Sequence, residues 1–141
     1  MTFPLAGLLR VRGAQERLAA ERLSAARSDR IRAEDAERSA VSSLADVSAE
    51  IGDGATLMAM AAARAAGRSA LSDLQALTAL RRDEEAAAHE THIEARRELK
   101  GLERMEDAHR REEARAETRA EQSALDEIAV VRSNRREGSA A

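Results

Sequence analysis

The sequence predicts an all-α protein, a long antiparallel two-helix coiled coil (a helical hairpin) with the C-terminal helix overhanging its partner. Composition is the first observation. Of the 141 residues 43% are hydrophobic, but these are largely alanine; aromatics are 1% (Phe3 alone) and charged residues 35%. A chain this poor in large apolar side chains cannot fill a globular core, whereas alanine, arginine and glutamate are strong helix formers. The second observation is the scarcity of breakers, with one proline, Pro4, and one glycine-rich interruption, "IGDGAT". The third is a heptad repeat. Disorder would need a higher net charge than the -3 carried here.

Helix 1 is expected over about 4–51, because proline is tolerated in a first helical turn and nothing breaks the chain before Gly52. A turn follows at about 52–55, or reaches 67 if Gly67 interrupts the next helix. Helix 2 then runs over about 56–134 with Thr56 as its N-cap, and 135–141 form a frayed tail, the whole making a single domain over 1–141. At about 1.5 Å per residue these helices measure roughly 70 and 115 Å, so helix 2 outruns its partner.

In helix 1, Leu9, Glu16, Leu23, Arg30, Glu37, Leu44 and Ile51 form one seven-residue series, and Leu5, Arg12, Ala19, Ala26, Ala33, Ala40 and Val47 the other. Ten of these fourteen are apolar, in the alternating spacing of a knobs-into-holes seam. The alanines admit a second helix at close range. Helix 2 reads less regularly: Leu71, Leu74, Ala88, Ala95, Leu99 and Leu102 share a frame, while Leu77, Leu80 and Ile93 fall beside it. That pattern implies a seam that changes frame. Charge supports antiparallel pairing, since residues 1–32 carry seven arginines against three acids and residues 83–127 eight bases against fifteen acids.

Little in the chain points to chemistry. His89 and His92 lie three apart without the glutamate of a zincin helix, and Glu106 and His109 form a single Glu-x-x-His where a di-iron bundle needs two. These histidines are therefore expected on a solvated surface, with no metal, cofactor or small-molecule ligand. No phosphate-binding Gly-x-x-x-x-Gly-Lys loop occurs, and a two-helix rod has no concave site for a nucleophile and its base, so no catalytic residue is expected. Nucleic acid is not an expected partner, because there is no aromatic stacking platform and the acidic stretch competes for the N-terminal arginines. The opening "MTFPLAGLLRVRG" lacks a basic residue ahead of its apolar patch and reads as a poor signal peptide. With no cysteine and no bilayer-spanning run, the expected setting is the cytoplasm. Protein recognition by exposed helix faces remains.

Three segments resemble the FliJ family of flagellar export proteins. "FPLAGLLRVRGAQE" is similar to the family's opening, with Phe3, Leu5, Leu8 and Leu9 leading to Arg10 and Glu16. "LKGLERMEDAHRREE" resembles its mid-helix segment at Leu99, Lys100, Leu102, Glu103, Arg104 and Met105. "EQSALDEIA" resembles its ending at Gln122, Leu125, Asp126, Glu127, Ile128 and Ala129. The resemblance implies a stalk-like hairpin that enters the ring of the flagellar export ATPase. It also implies contact with the export gate protein FlhA, handling of export chaperones, and a place at the inner face of the cell membrane, in service of flagellum biogenesis and motility. Where the family carries aromatic residues early in helix 2 for gate docking, this chain has Met60, Ala63, Ala66 and Ala70. The alternative expectation is a structural or scaffold coiled coil with no role in export.

The closing stripe is the strongest candidate for a partner-binding tip. Leu125, Ile128 and Val131 share a helix face, and a partner helix that starts near residue 4 and turns near 54 runs out at about residue 104. The expected site is therefore Gln122, Leu125, Asp126, Glu127, Ile128 and Val131. The expected seam is Leu5, Leu9, Leu23, Leu44, Val47, Ile51, Leu71, Leu74, Leu99 and Leu102.

Overall fold

The computed structural model describes residues 2–47 and 54–140. Ile51 and the expected turn positions 52 and 53 lie outside the described residues. Among those described, the regular elements are two helices, α1 (Ala6–Val47, 42 residues) and α2 (Gly54–Ala140, 87 residues), and the protein is an all-α antiparallel hairpin. The chain divides into two compact units, Ala14–Arg96 on one hand and Met1–Gly13 with Arg97–Ala141 on the other.

Helix ends differ from expectation by a few residues. α1 opens at Ala6 rather than Pro4, because Phe3 to Ala6 form a turn in which Ala6 N–H donates to the Phe3 carbonyl at 3.1 Å. The fixed backbone angle of Pro4 suits the second position of that turn. α2 opens at Gly54, which places Thr56 inside its first turn instead of at the cap, and 135–140 stay helical where a frayed tail was expected.

In the unit Ala14–Arg96 the described positions of the α1 heptad series, from Glu16 to Val47, are all turned at least partly from solvent, and Ala19, Leu23 and Ala33 are buried. Opposite them on α2 a stripe of sheltered positions runs through Met60, Arg64, Gly67, Leu71, Leu74, Thr78, Arg81, Glu85, Ala88, His92 and Ala95, with Ile93 partly sheltered beside it. The stripe alternates in steps of four and three without a break, so the expected shift of frame does not occur. The expectation failed because polar residues hold seam positions and hide the frame from an apolar count. Thr78 is the most sheltered described residue, at 2% exposed, whereas Leu77 and Leu80 stand off the seam at 36% and 52%.

Pairs across this seam fix its direction. Arg27 Nε donates to Glu85 Oε1 at 3.3 Å, Arg30 Nε donates to Glu85 Oε2, and Arg82 Nη2 donates to Glu34 Oε1 at 3.0 Å. Arg30 Nη1 also reaches Glu34 Oε2 at 2.8 Å, which joins five side chains into one cross-helix network. His92 Nε2 lies 3.0 Å from Glu16 Oε1. Residue numbers rise along α1 as they fall along α2, from Glu16 with His92 to Glu34 with Arg82, as antiparallel pairing requires.

Gly67, expected as a weak point of α2, is instead a site of close approach. A Cβ there would stand 2.8 Å from Leu44 Cδ1, so the absent side chain makes room for the leucine and the helix runs through unbroken. Gly101 has nothing within 4 Å of the same position.

In the second unit Leu5, just ahead of α1, joins Leu9 and Arg12 of α1 on the sheltered face, and α2 contributes Leu99, Leu102, Glu106, His109 and Glu113. Arg12 bridges to Glu98 at 2.6 Å, and the Phe3 ring meets His109 edge-on at 5.6 Å between centroids. Pairing thus reaches past the expected end near residue 104, because Phe3 stands opposite His109 and the register lies several residues further along α2 than a turn centred on 54 would give. From Ala114 to Ala140 every described residue of α2 is exposed.

Two predictions follow from this packing. Gly101→Ala should raise the melting temperature, as alanine gains up to about 1 kcal/mol over glycine in an open helix site. Gly67→Ala should raise it less or lower it, since Leu44 must leave its rotamer; circular dichroism melts of both variants make the comparison. Separately, Glu34 and Glu85 are held below their ordinary carboxyl pKa of 4.5. The Arg82 hydrogen bond comes first for Glu34 and the Arg30 hydrogen bond first for Glu85. A depressed folded-state value contributes stability that is present above the unfolded pKa and lost as pH falls through the folded one. Melts taken from neutral pH to below the carboxyl range should therefore show a loss on acidification that shrinks in Glu34→Gln with Glu85→Gln. An unchanged pH profile in that variant would show that the network does not form.

Candidate protein-binding faces

The exposed end of α2 is built from one continuous helix with no partner on any side. Ala114 to Gln122 support it with helix-internal pairs: Arg119 Nη2 donates to Glu112 Oε1 at 2.7 Å and Thr118 Oγ1 to the Ala114 carbonyl at 2.9 Å. Arg119, and then Arg115, hold the Glu112 carboxyl below its ordinary range. Upstream, Arg110 pairs with Glu106 at 2.9 Å, one turn apart. Such pairs stabilise a solvated helix on its own.

On this scaffold the predicted tip residues Gln122, Leu125, Asp126, Glu127, Ile128 and Val131 are all exposed. Leu125 is 63% exposed, Ile128 50% and Val131 52%. Steps of three bring these three close together on the helix surface, and Ala124, Glu127, Ile128, Val131, Arg132 and Arg135 line one shallow surface. Val130, at 58%, is exposed apolar area on another face of the helix. The arrangement offers an apolar strip with Glu127 on one margin and Arg132 and Arg135 continuing it toward the C-terminal end of α2. It suits burial in another protein's groove or ring.

The second predicted patch divides. Met60 is buried at 9%, because its spacing from Arg64, Gly67 and Leu71 puts it in the seam, and its side chain does not present to a partner. Ala63, Ala66 and Ala70 are exposed. Of the seam residues, Leu5, Leu9, Leu44, Val47, Leu71, Leu74 and Leu99 are half-buried and Leu23 and Leu102 buried, each at 9% exposed.

The histidines do not share the solvated surface expected of them. His89 is exposed, but His92 sits against Glu16 at 19% side-chain exposure, and His109 lies between Phe3 and Glu113, 3.7 Å from the latter. Sequence reasoning missed these roles because it had no register with which to place Glu16 or Phe3 opposite them. Among the described residues no group of three or more metal-capable side chains comes together, and no helix is long and apolar enough to cross a membrane.

Comparison with known proteins adds one finding. No curated protein and no solved structure matches the chain. The family model described as Flagellar FliJ protein, however, matches residues 1–138 of the 141. That match spans both helices, the seam and the exposed tip, and the chain belongs to the flagellar FliJ protein family.

Proposed function

We propose that this protein serves the flagellar type III protein export apparatus as a non-enzymatic stalk that binds the ring of the export ATPase through the exposed end of α2. Family membership supports a flagellar export role in general. The observation that carries the finer reading is the helical stretch from Ala114 to Ala140, exposed on all sides and bearing Leu125, Ile128 and Val131. Exposed apolar side chains in a row, on a helix that holds its shape through its own ion pairs, are the form a ring or groove can accept without first ordering it.

The remaining contacts belong to the same proposal. The gate protein FlhA would meet the flank of α2 that carries Ala63, Ala66 and Ala70, where small side chains permit close approach. Export chaperones would be escorted by the hairpin, and the protein would work in the cytoplasm, peripherally at the inner face of the cell membrane. No catalytic step is assigned to it.

Replacing Leu125 and Ile128 together by alanine tests the ring contact. Co-elution of the purified chain with its cognate export ATPase should weaken by about tenfold or more, as expected when central apolar anchors are truncated, with helicity unchanged by circular dichroism. Undiminished ATPase binding by the double variant would contradict the proposal. Loss of self-association in its place would favour a scaffold coiled coil.

A further inference from the structure

In the unit Ala14–Arg96, near the end of α1, an open groove of about 500 Å³ is lined by Val41, Leu44 and Ala45 from α1 and by Arg64 and Arg68 from α2. We infer that this groove is a docking site for an acidic amphipathic helix of a partner protein. The inference does not depend on the ring contact proposed above, since it concerns other residues and another part of α2.

Charge is the first argument. Elsewhere along this seam the arginines are met by glutamates: Arg27 and Arg30 meet Glu85 and Arg82 meets Glu34 across it, while Arg81 pairs with Glu84 on its own helix. At the groove the described α1 residues that line it are Val41, Leu44 and Ala45, so two guanidinium groups face an apolar wall. Arg64 Nε is sealed from solvent and makes no hydrogen bond. Carboxylates supplied from outside would form charge-assisted bonds with the guanidinium groups at the groove, and an Arg64 side chain that turned toward one would relieve its unmet Nε donor.

Spacing and shape are the second argument. Arg64 and Arg68 lie one turn apart, and with Leu57 and Ala61 they follow the four-three-four steps of a single stripe along α2. Leu57 is 54% exposed and Val41 50%, so apolar surface borders the two arginines on both helices. Two carboxylates one turn apart on a ligand helix stand at the same separation as the two arginines, and a large apolar residue on its adjoining face would rest on Val41 and Leu44. At about 100° per residue, this stripe lies on the other flank of the seam from Ala63, Ala66 and Ala70. A nucleic acid would use the charge but not the apolar wall, and no aromatic side chain lines the groove to stack a base.

The test uses the full-length chain and a fluorescently labelled synthetic helical peptide carrying glutamates one turn apart with leucines on the adjoining face. Anisotropy at about 50 mM salt should show saturable binding that weakens as salt is raised. Arg64→Gln should weaken it by tenfold or more, and Arg68→Glu should abolish it. Because Arg68 is exposed, its variant keeps the fold, which circular dichroism checks. The same peptide with glutamine for glutamate should not bind. Absence of saturable binding, equal binding of the glutamine peptide, or indifference to Arg68→Glu would each overturn the inference. Binding of a labelled single-stranded DNA that depends on Arg68 as strongly as the peptide does would overturn it in favour of nucleic acid.

Discussion

Two long helices must lie against each other here with almost no large apolar side chains to hold them. That constraint governs the rest of the structure. Ala19 and Ala33 are buried because only small residues let the backbones come close, and Gly67 is needed because Leu44 occupies the space a side chain would take. Small residues bury little area, so apolar layers alone hold such a seam weakly. Polar layers do the rest: the network of Arg27, Arg30, Glu34, Arg82 and Glu85, and the pairs Arg12 with Glu98 and Glu16 with His92, add little attraction individually but penalise a slipped register, in which like charges would meet.

A seam set by charge pairs explains how one helix can be paired over part of its length and free over the rest. Pairing in the unit that holds the N-terminus includes Phe3, ahead of α1, against His109, and from Ala114 onward every described residue of α2 is exposed. Beyond, α2 keeps its helix through pairs one or two turns apart within itself, such as Arg119 with Glu112. The apolar strip of Leu125, Ile128 and Val131 therefore stays in water, on a rod already shaped for a partner. The groove of Arg64 and Arg68 arises from the same rule read in reverse. It is the place where α2 presents cations and, among the described lining residues, α1 returns no carboxylate.

The legible part of the fold was the part written in apolar spacing. The frame of α1 could be read because Leu5, Leu9, Ala19, Leu23, Ala26, Ala33, Ala40, Leu44 and Val47 mark most of its turns. α2 misled, since Arg64, Thr78, Arg81, Glu85 and His92 hold seam positions while Leu77 and Leu80 sit beside them. Only the register across the hairpin reveals that Glu85 faces Arg27 and Arg30 and that His92 faces Glu16, and register is not encoded in either helix alone. The same lack hid the partners of His92 and His109, and it placed the end of pairing too early. The exposed tip could be read because it needed nothing more than the two helix lengths. The arginine groove could not, because a missing carboxylate is invisible until the facing residues are known.

Native-state hydrogen exchange on the isolated full-length chain tests the central claim most directly, that the seam ends near residue 113 and the rest of α2 stands alone. The account predicts that amides of α2 between Met60 and Glu113 are protected together with those of α1, while amides from Ala114 to Ala140 exchange orders of magnitude faster, as a lone helix frays locally. Equal protection on both sides of residue 113 would contradict it, since the apolar strip would then be covered within the free protein and not held for a partner.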